Sequence, residues 1–299
     1  MFLGNFNPVL TGNKDHGLNL TRATLLSVVK YPIFFNKANN YSAYTNSSNP
    51  PKASFFENEL DIYNWLVSNF SEEEVNFFTE IKKDNSKEKH VKTLNKTLEC
   101  SIMEIADDIA YATHDLQDVI KFKLLNIDLF KEEIRNFKMD NPRFKEIQKY
   151  VMRLDNNSLK LGENLGEVIK KIINLLIQDV KIVKNKCSYN NRLKYRAELS
   201  EESIELIELI SNNLIYNKVI KSQRVQTMEY KGTNIITSLF NAFYEESNLL
   251  PDYERELISS NKDLKPRIIA DYIAGMTDKY AENFYRRLYE SNSGRLFDL

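Results

Sequence analysis

Asp107, Tyr111 and Asp115 stand at i, i+4 and i+8 within an apolar-periodic stretch, with Asp108 and His114 beside them. If that stretch is helical, each step of four turns about 40° and climbs about 6 Å, so the three side chains share one ribbon. His114 follows Asp107 by seven residues, about 20° around the same helix. Two carboxylates, a phenol and an imidazole so placed suit a metal ion or a polar ligand. A solvated acidic helix face with Tyr111 half-buried fits the same spacing, and spacing alone leaves both readings open.

One carboxylate does not make a metal site. The other histidines are His16 and His90. His16 follows Asp15, the reverse of a His-Asp pair, and His90 lies in a lysine-rich segment that reads as exposed. No HxxxH or HExxH spacing, glycine-rich phosphate loop or GxSxG elbow occurs. Cys100 reads as a small core residue. The basic stretch with Lys181, Lys184, Lys186, Arg192, Lys194 and Arg196, interleaved with Tyr189 and Tyr195, reads as a solvated loop or a phosphate contact.

The elements that must carry these residues are helices. From Leu98 to Leu125 the apolar positions Leu98, Ile102, Ile105, Ile109, Ala112, Leu116 and Val119 make one continuous stripe. The ribbon of Asp107 borders it, which predicts a cleft edge. Leu18 to Tyr31 predicts a helix stopped by Pro32, and Glu57 to Asn69 another. Ser71 with Glu74 is a capping-box start. Leu129 to Phe137, Arg143 to Leu154 behind Asn141-Pro142, Leu165 to Val183, and Ser200 to Val219 follow. Lys184 to Arg196 reads as a loop, and Val225 to Tyr230 as a short strand or extended turn. Thr233 to Tyr244 and Pro266 to Tyr289 complete an all-α reading, with Asn292-Ser293-Gly294 closing the last helix.

Composition agrees. The 299 residues include only 8 Gly and 7 Pro, against averages of about 20 and about 15, and few breakers favour long helices. Hydrophobic residues are 42% and charged residues 28%, which excludes wholesale disorder. A net charge of −1 argues against a broad nucleic-acid footprint. No run of 18 apolar residues is present, no leader pattern opens the chain, and the 2 cysteines fit no metal or redox spacing. Together these point to a cytoplasmic protein with no membrane partner.

Ser101–Leu116 closely resembles the last metal-binding motif of the bacterial dGTP triphosphohydrolases, members of the HD-domain phosphohydrolase superfamily. Three further segments resemble the family in the same order. They are Gly17-Leu18-Asn19-Leu20-Thr21 with Lys30-Tyr31-Pro32, Glu229-Tyr230-Lys231-Gly232 with Ile235-Ile236 and Leu239-Phe240, and Asp271 through Ala281. The resemblance implies a helical HD-type fold, with a partial catalytic core over 1–130 and a phosphohydrolase-associated region over 131–299 packed as one unit. It implies hydrolysis of dGTP, or another deoxynucleoside triphosphate, to nucleoside and tripolyphosphate, with a divalent metal (Mn or Mg) held by a His, a His-Asp pair and a distant Asp.

Asp107 matches that distant Asp, Tyr111 and Asp115 match the positions that hydrogen-bond the sugar 3′-hydroxyl, and Asp108 and His114 stand beside them in support. The first His, the His-Asp pair and the histidine-rich catalytic stretch have no counterpart here, so no catalytic residue is assigned. The expectation is a truncated or split form, lacking the N-terminal helices, inactive alone and completed by a separate HD chain. The alternative is a non-catalytic nucleotide- or nucleic-acid-binding module, or a homo-oligomerisation module. Arg143, Arg153 and Arg192 are candidates for holding the triphosphate by charge only.

Overall fold

The computed structural model describes residues 20–39, 52, 54–81, 90–155, 160–185 and 191–290. Among them the architecture is all-α, with one two-stranded sheet. In order the elements are α1 (Arg22–Val28), α2 (Phe35–Ala38), α3 (Leu60–Val67, led by a 3-10 turn at Glu57–Glu59), α4 (Glu72–Phe78), α5 (Leu98–Lys121), α6 (Ile127–Asn136), α7 (Pro142–Met152) and α8 (Leu161–Asp179). They continue with β1 (Lys181–Lys184), α9 (Asn191–Lys194), β2 (Tyr195–Glu198) and α10 (Glu201–Glu208), which runs into a wide π-helical segment over Leu209–Ile220. The last four are α11 (Gln223–Glu245), α12 (Asp252–Ser260), α13 (Lys265–Ala274) and α14 (Asp278–Tyr289). The chain forms two compact units, within 3–218 and 219–299.

Local chemistry sets the helix starts. Ser71 accepts from the Glu74 amide at 3.2 Å while Glu74 accepts from the Ser71 amide at 2.8 Å, so both orphan donors are satisfied. Pro142 opens α7 behind the Asn141 cap, where its missing N–H costs nothing. Thr97 caps α5, accepting from the Cys100 amide at 3.2 Å. After α5 the chain reverses through Lys123, whose φ of 55° lets Leu124 return its amide to the Val119 carbonyl at 2.8 Å.

In the first unit, Ile109, Ala112, Leu116 and Ile120 of α5 are buried, as are Leu165, Val168, Ile172 and Leu176 of the packed helix α8. Phe144, Ile147 and Val151 of α7, with Phe130 and Ile134 of α6, extend this core. Burying a side chain of that size contributes about 1.5–3 kcal/mol. A satellite cluster joins Leu25 and Leu26 to Leu66, Phe78 and Leu193. In the second unit, Ile235, Leu239 and Phe243 of α11 meet Ile269 and Ile273 of α13 and Ala281 of α14.

Three sequence expectations are corrected. Residues Lys181–Lys184 and Tyr195–Glu198 form an antiparallel pair where a helix end and a basic loop were expected. The pairing sets Ile182 opposite Ala197 and Val183 opposite Arg196, and Ala197 is drawn inward as its amide donates to Ser101 Oγ at 2.8 Å. Val225 to Tyr230 is helical, inside α11, because the i to i+4 ladder runs through it unbroken to Glu245. His90 is buried, not exposed, beside Val91, whose amide donates to Ala38 O at 2.8 Å. The segments at Gly17–Asn19, His16, Lys186, Cys187, Tyr189 and Asn292–Gly294 lie outside the described residues.

Candidate functional site

Helix α5 carries every site residue that the spacing singled out. Its first turn is tied to α1: the Thr97 hydroxyl donates to Leu26 O at 3.2 Å, and Cys100 Sγ donates to Val29 O at 3.4 Å. These bonds bring Lys30 and Tyr31, just past α1, alongside the first half of α5. Strand β2 closes another side of that half through Ser101.

The face left over is open. Asp107, Asp108 and His114 are exposed, Asp115 is half-buried and Tyr111 is 55% exposed. Ile109, Ala112, Leu116 and Val119 of the expected stripe are buried, but Ile102 is 44% exposed and Met103 lies bare next to it. The stripe therefore drifts off the core in the first half of the helix, because α1 and β2 pack against Cys100 and Ser101 instead. The expected cleft edge is, among the described residues, an open surface.

Tyr111 and Asp115 stand one turn apart on α5, near enough for each to act on the other's titration. Burial first, then the neighbouring Asp115 carboxylate, push the Tyr111 phenol up, so it stays a neutral donor. Burial and then the Asp118 charge push the Asp115 carboxyl up, while the Tyr111 phenol and His114 pull it down. Asp108 is solvent-accessible, yet enough protein surrounds it that desolvation, and next the Glu104 charge, push its carboxyl up.

A second cluster lies one turn before Asp107. Glu104 pairs with Lys30 at 3.0 Å and also with Lys96. Burial alone would raise the Glu104 carboxyl, but the bonds and charges of Lys96 and Lys30 hold it below its ordinary value. Burial would lower Lys30, and the Glu104 bond and charge outweigh that and raise it. Both directions favour the charged pair. The cations that act on Asp108 are Lys30 and Lys96. Sequence reading missed this cluster, although Glu104 at i−3 from Asp107 was its signal. The three arginines chosen by charge are placed elsewhere: Arg192 pairs with Glu99 at 2.6 Å, Arg153 lies over the Tyr150 ring at 5.7 Å, and Arg143 is in the first turn of α7.

Among the described residues no group of three or more His, Cys, Asp or Glu is arranged to hold a metal ion. Asp107 offers one carboxylate, whereas Mg²⁺ or Mn²⁺ takes about six donors. The residues present do not fit a complete metal centre. Cys100 is no nucleophile, since burial pushes its thiol up to about 11. No helix among the described residues is long and apolar enough to cross a membrane.

The family model of the phosphohydrolase-associated domain matches residues 198–287, which takes in α10 through most of α14. The chain is 34% identical over 96% of its length to deoxyguanosinetriphosphate triphosphohydrolase-like protein 2 of Deinococcus radiodurans, covering 66% of that protein. It is 30% identical over 95% of its length to the deoxyguanosinetriphosphate triphosphohydrolase-like protein of Shewanella baltica, covering 67%. A Histophilus somni protein of the same name is 33% identical over 91% of the chain, which covers 63% of it. The chain thus spans about two thirds of the length of the curated relatives it matches.

Proposed function

This chain belongs to the deoxyguanosinetriphosphate triphosphohydrolase-like family, and on that premise we propose that α5 is its deoxynucleotide-binding element. Tyr111 and Asp115 hold the sugar 3′-hydroxyl, and Asp107 is one ligand of a divalent ion whose other ligands are not found among the described residues. The observation that supports this most is the pairing of the Tyr111 phenol with the neighbouring Asp115 carboxylate on an accessible face of α5, one turn from Asp107. A neutral phenol and a carboxylate side by side offer both a donor and an acceptor, which is what a hydroxyl needs. Lys30 and Lys96, both paired with Glu104, are the cations assigned to the triphosphate, because phosphate oxygens call for charge-assisted donors.

No activation of the attacking water is assigned to this chain. The reading is therefore a triphosphohydrolase-like protein that binds dGTP or a related deoxynucleoside triphosphate and does not hydrolyse it alone. A His and a His-Asp pair from outside these residues would complete the centre. The test is tripolyphosphate release from dGTP by the purified chain, with Mn²⁺ and with EDTA. The expected result is no release in either. Release that depends on Mn²⁺ would show a complete ligand set within the chain and overturn the inactive reading. Release restored by a complementing chain, and lost on Asp107→Ala, would support the ligand assignment.

A further inference from the structure

The second unit contains a shallow cavity, largely open to solvent, that the reading above does not use. It has a volume of about 590 Å³ and is lined by Glu254, Asp271, Tyr272, Gly275, Met276, Thr277 and Tyr280. Glu254 comes from α12, Asp271 and Tyr272 from α13, and Tyr280 from α14, so three helices contribute to it.

Its chemistry is one-sided. Glu254 makes no ion pair or hydrogen bond among the described residues. Asp271 accepts from Arg267 Nε at 2.8 and 3.0 Å, and one guanidine N–H leaves most of the carboxylate's acceptor sites open. Helix α13 ends at Ala274, so its last-turn carbonyls add a partial negative charge at Gly275. The phenols of Tyr272 and Tyr280 lie 3.4 Å apart, which places two aromatic rings in the same wall. Met276 adds a polarisable thioether. The negative field is felt within the cavity: the Tyr272 phenol is pushed well up by burial, then by Tyr280, with the Glu254 charge adding to it.

We propose that this cavity binds a guanidinium group, with Glu254 as its carboxylate acceptor and the Tyr272 and Tyr280 rings as its stacking surface. A guanidinium is planar, stacks on aromatic faces and donates in pairs to a carboxylate, so it matches all of these features together. An alkylammonium matches only the charge. The group reaches the cavity either on a free small molecule or on an arginine side chain of a polypeptide.

The experiment uses the full chain, labelled with ¹⁵N and followed through the Gly275 and Thr277 amides. The probes are agmatine for the free source and an acetylated, amidated Gly-Arg-Gly peptide for the polypeptide source, with butylamine as the ammonium control and deoxyguanosine as a competing occupant. Saturable shifts with agmatine or the peptide are expected, weaker with butylamine, and Glu254→Gln should weaken binding about tenfold or more. Tyr280→Leu should weaken it too, so the proposal stays testable if one variant misfolds. Agmatine binding without peptide binding would assign the free source, and the reverse the polypeptide source. No saturable shift with either guanidinium probe, equal binding by Glu254→Gln, or tighter binding of deoxyguanosine would each overturn the proposal.

Discussion

Replacing Glu104 with Gln removes one charge and keeps the shape, so it isolates what the Lys30–Glu104–Lys96 cluster contributes. The partners are 24% exposed for Glu104, 18% for Lys96 and 38% for Lys30. A fully exposed pair contributes about 0–1 kcal/mol, and breaking a fully buried one costs about 3–5 kcal/mol. Two partly screened pairs on one carboxylate lie between these limits, at about 1–3 kcal/mol for Glu104→Gln at pH 7. Asp108 reduces this loss, since the Glu104 charge helps to push its carboxyl up and that repulsion disappears in the variant.

The pH dependence has a definite sign. Glu104 titrates below its ordinary value of 4.5 in the folded chain, so its stabilisation is fully present above that value. It is lost as pH falls through the depressed folded value. Urea unfolding of wild type and Glu104→Gln at pH 7 and at about pH 3 checks this, with equal m values showing that only stability changed. The wild type should lead at pH 7, and the gap should shrink at the acid pH and in high salt. Equal stability at pH 7, or a gap that acid leaves unchanged, would refute the reasoning.

Leu116→Ala, at a fully buried position of α5, should destabilise the fold by about 2–5 kcal/mol in urea unfolding, whereas Ile102→Ser on the open face should change it by about 0.5 kcal/mol or less. A large loss from Ile102→Ser would mean that this face is packed. With its thiol at about 11, Cys100 should be about 0.1% thiolate at pH 8, so in a Cys187→Ser background an aromatic disulfide reagent should label it only after unfolding. Binding of the 3′-hydroxyl should weaken on Tyr111→Phe, read as a rise in the dGTP dissociation constant with little change in thermal stability, because Tyr111 is mostly exposed.

Where local rules decide the outcome, the fold was legible in the residues. Ser71 and Glu74 announce α4, Asn141-Pro142 announce α7, and the steps of three and four from Ile109 to Val119 give the buried face of α5. The misses share a physical cause, which is that tertiary partners decide burial. Ile102 belongs to the periodic stripe and is nonetheless exposed, because α1 and β2 occupy the other side of the helix there. His90 is surrounded by lysines in sequence and is nonetheless buried. Strand β1 is four residues long, too short for periodicity to separate it from the end of α8. For the site, Asp107, Tyr111 and Asp115 could be named from spacing and resemblance, and the structure places them on one accessible face. The Glu104 cluster was only partly legible: Glu104 and Lys96 lie beside the motif in sequence, but Lys30 reaches them through the tie between α1 and α5.

The central claim is that α5 recognises a deoxynucleotide through its sugar. The most direct test is the affinity of the purified chain for dGTP against 2′,3′-dideoxy-GTP, measured by calorimetry for wild type and Asp115→Asn. The account predicts that wild type binds dGTP about tenfold or more tightly than the dideoxy analogue, and that Asp115→Asn removes the difference. Equal affinity of wild type for the two nucleotides, or a preference that survives Asp115→Asn, would contradict it.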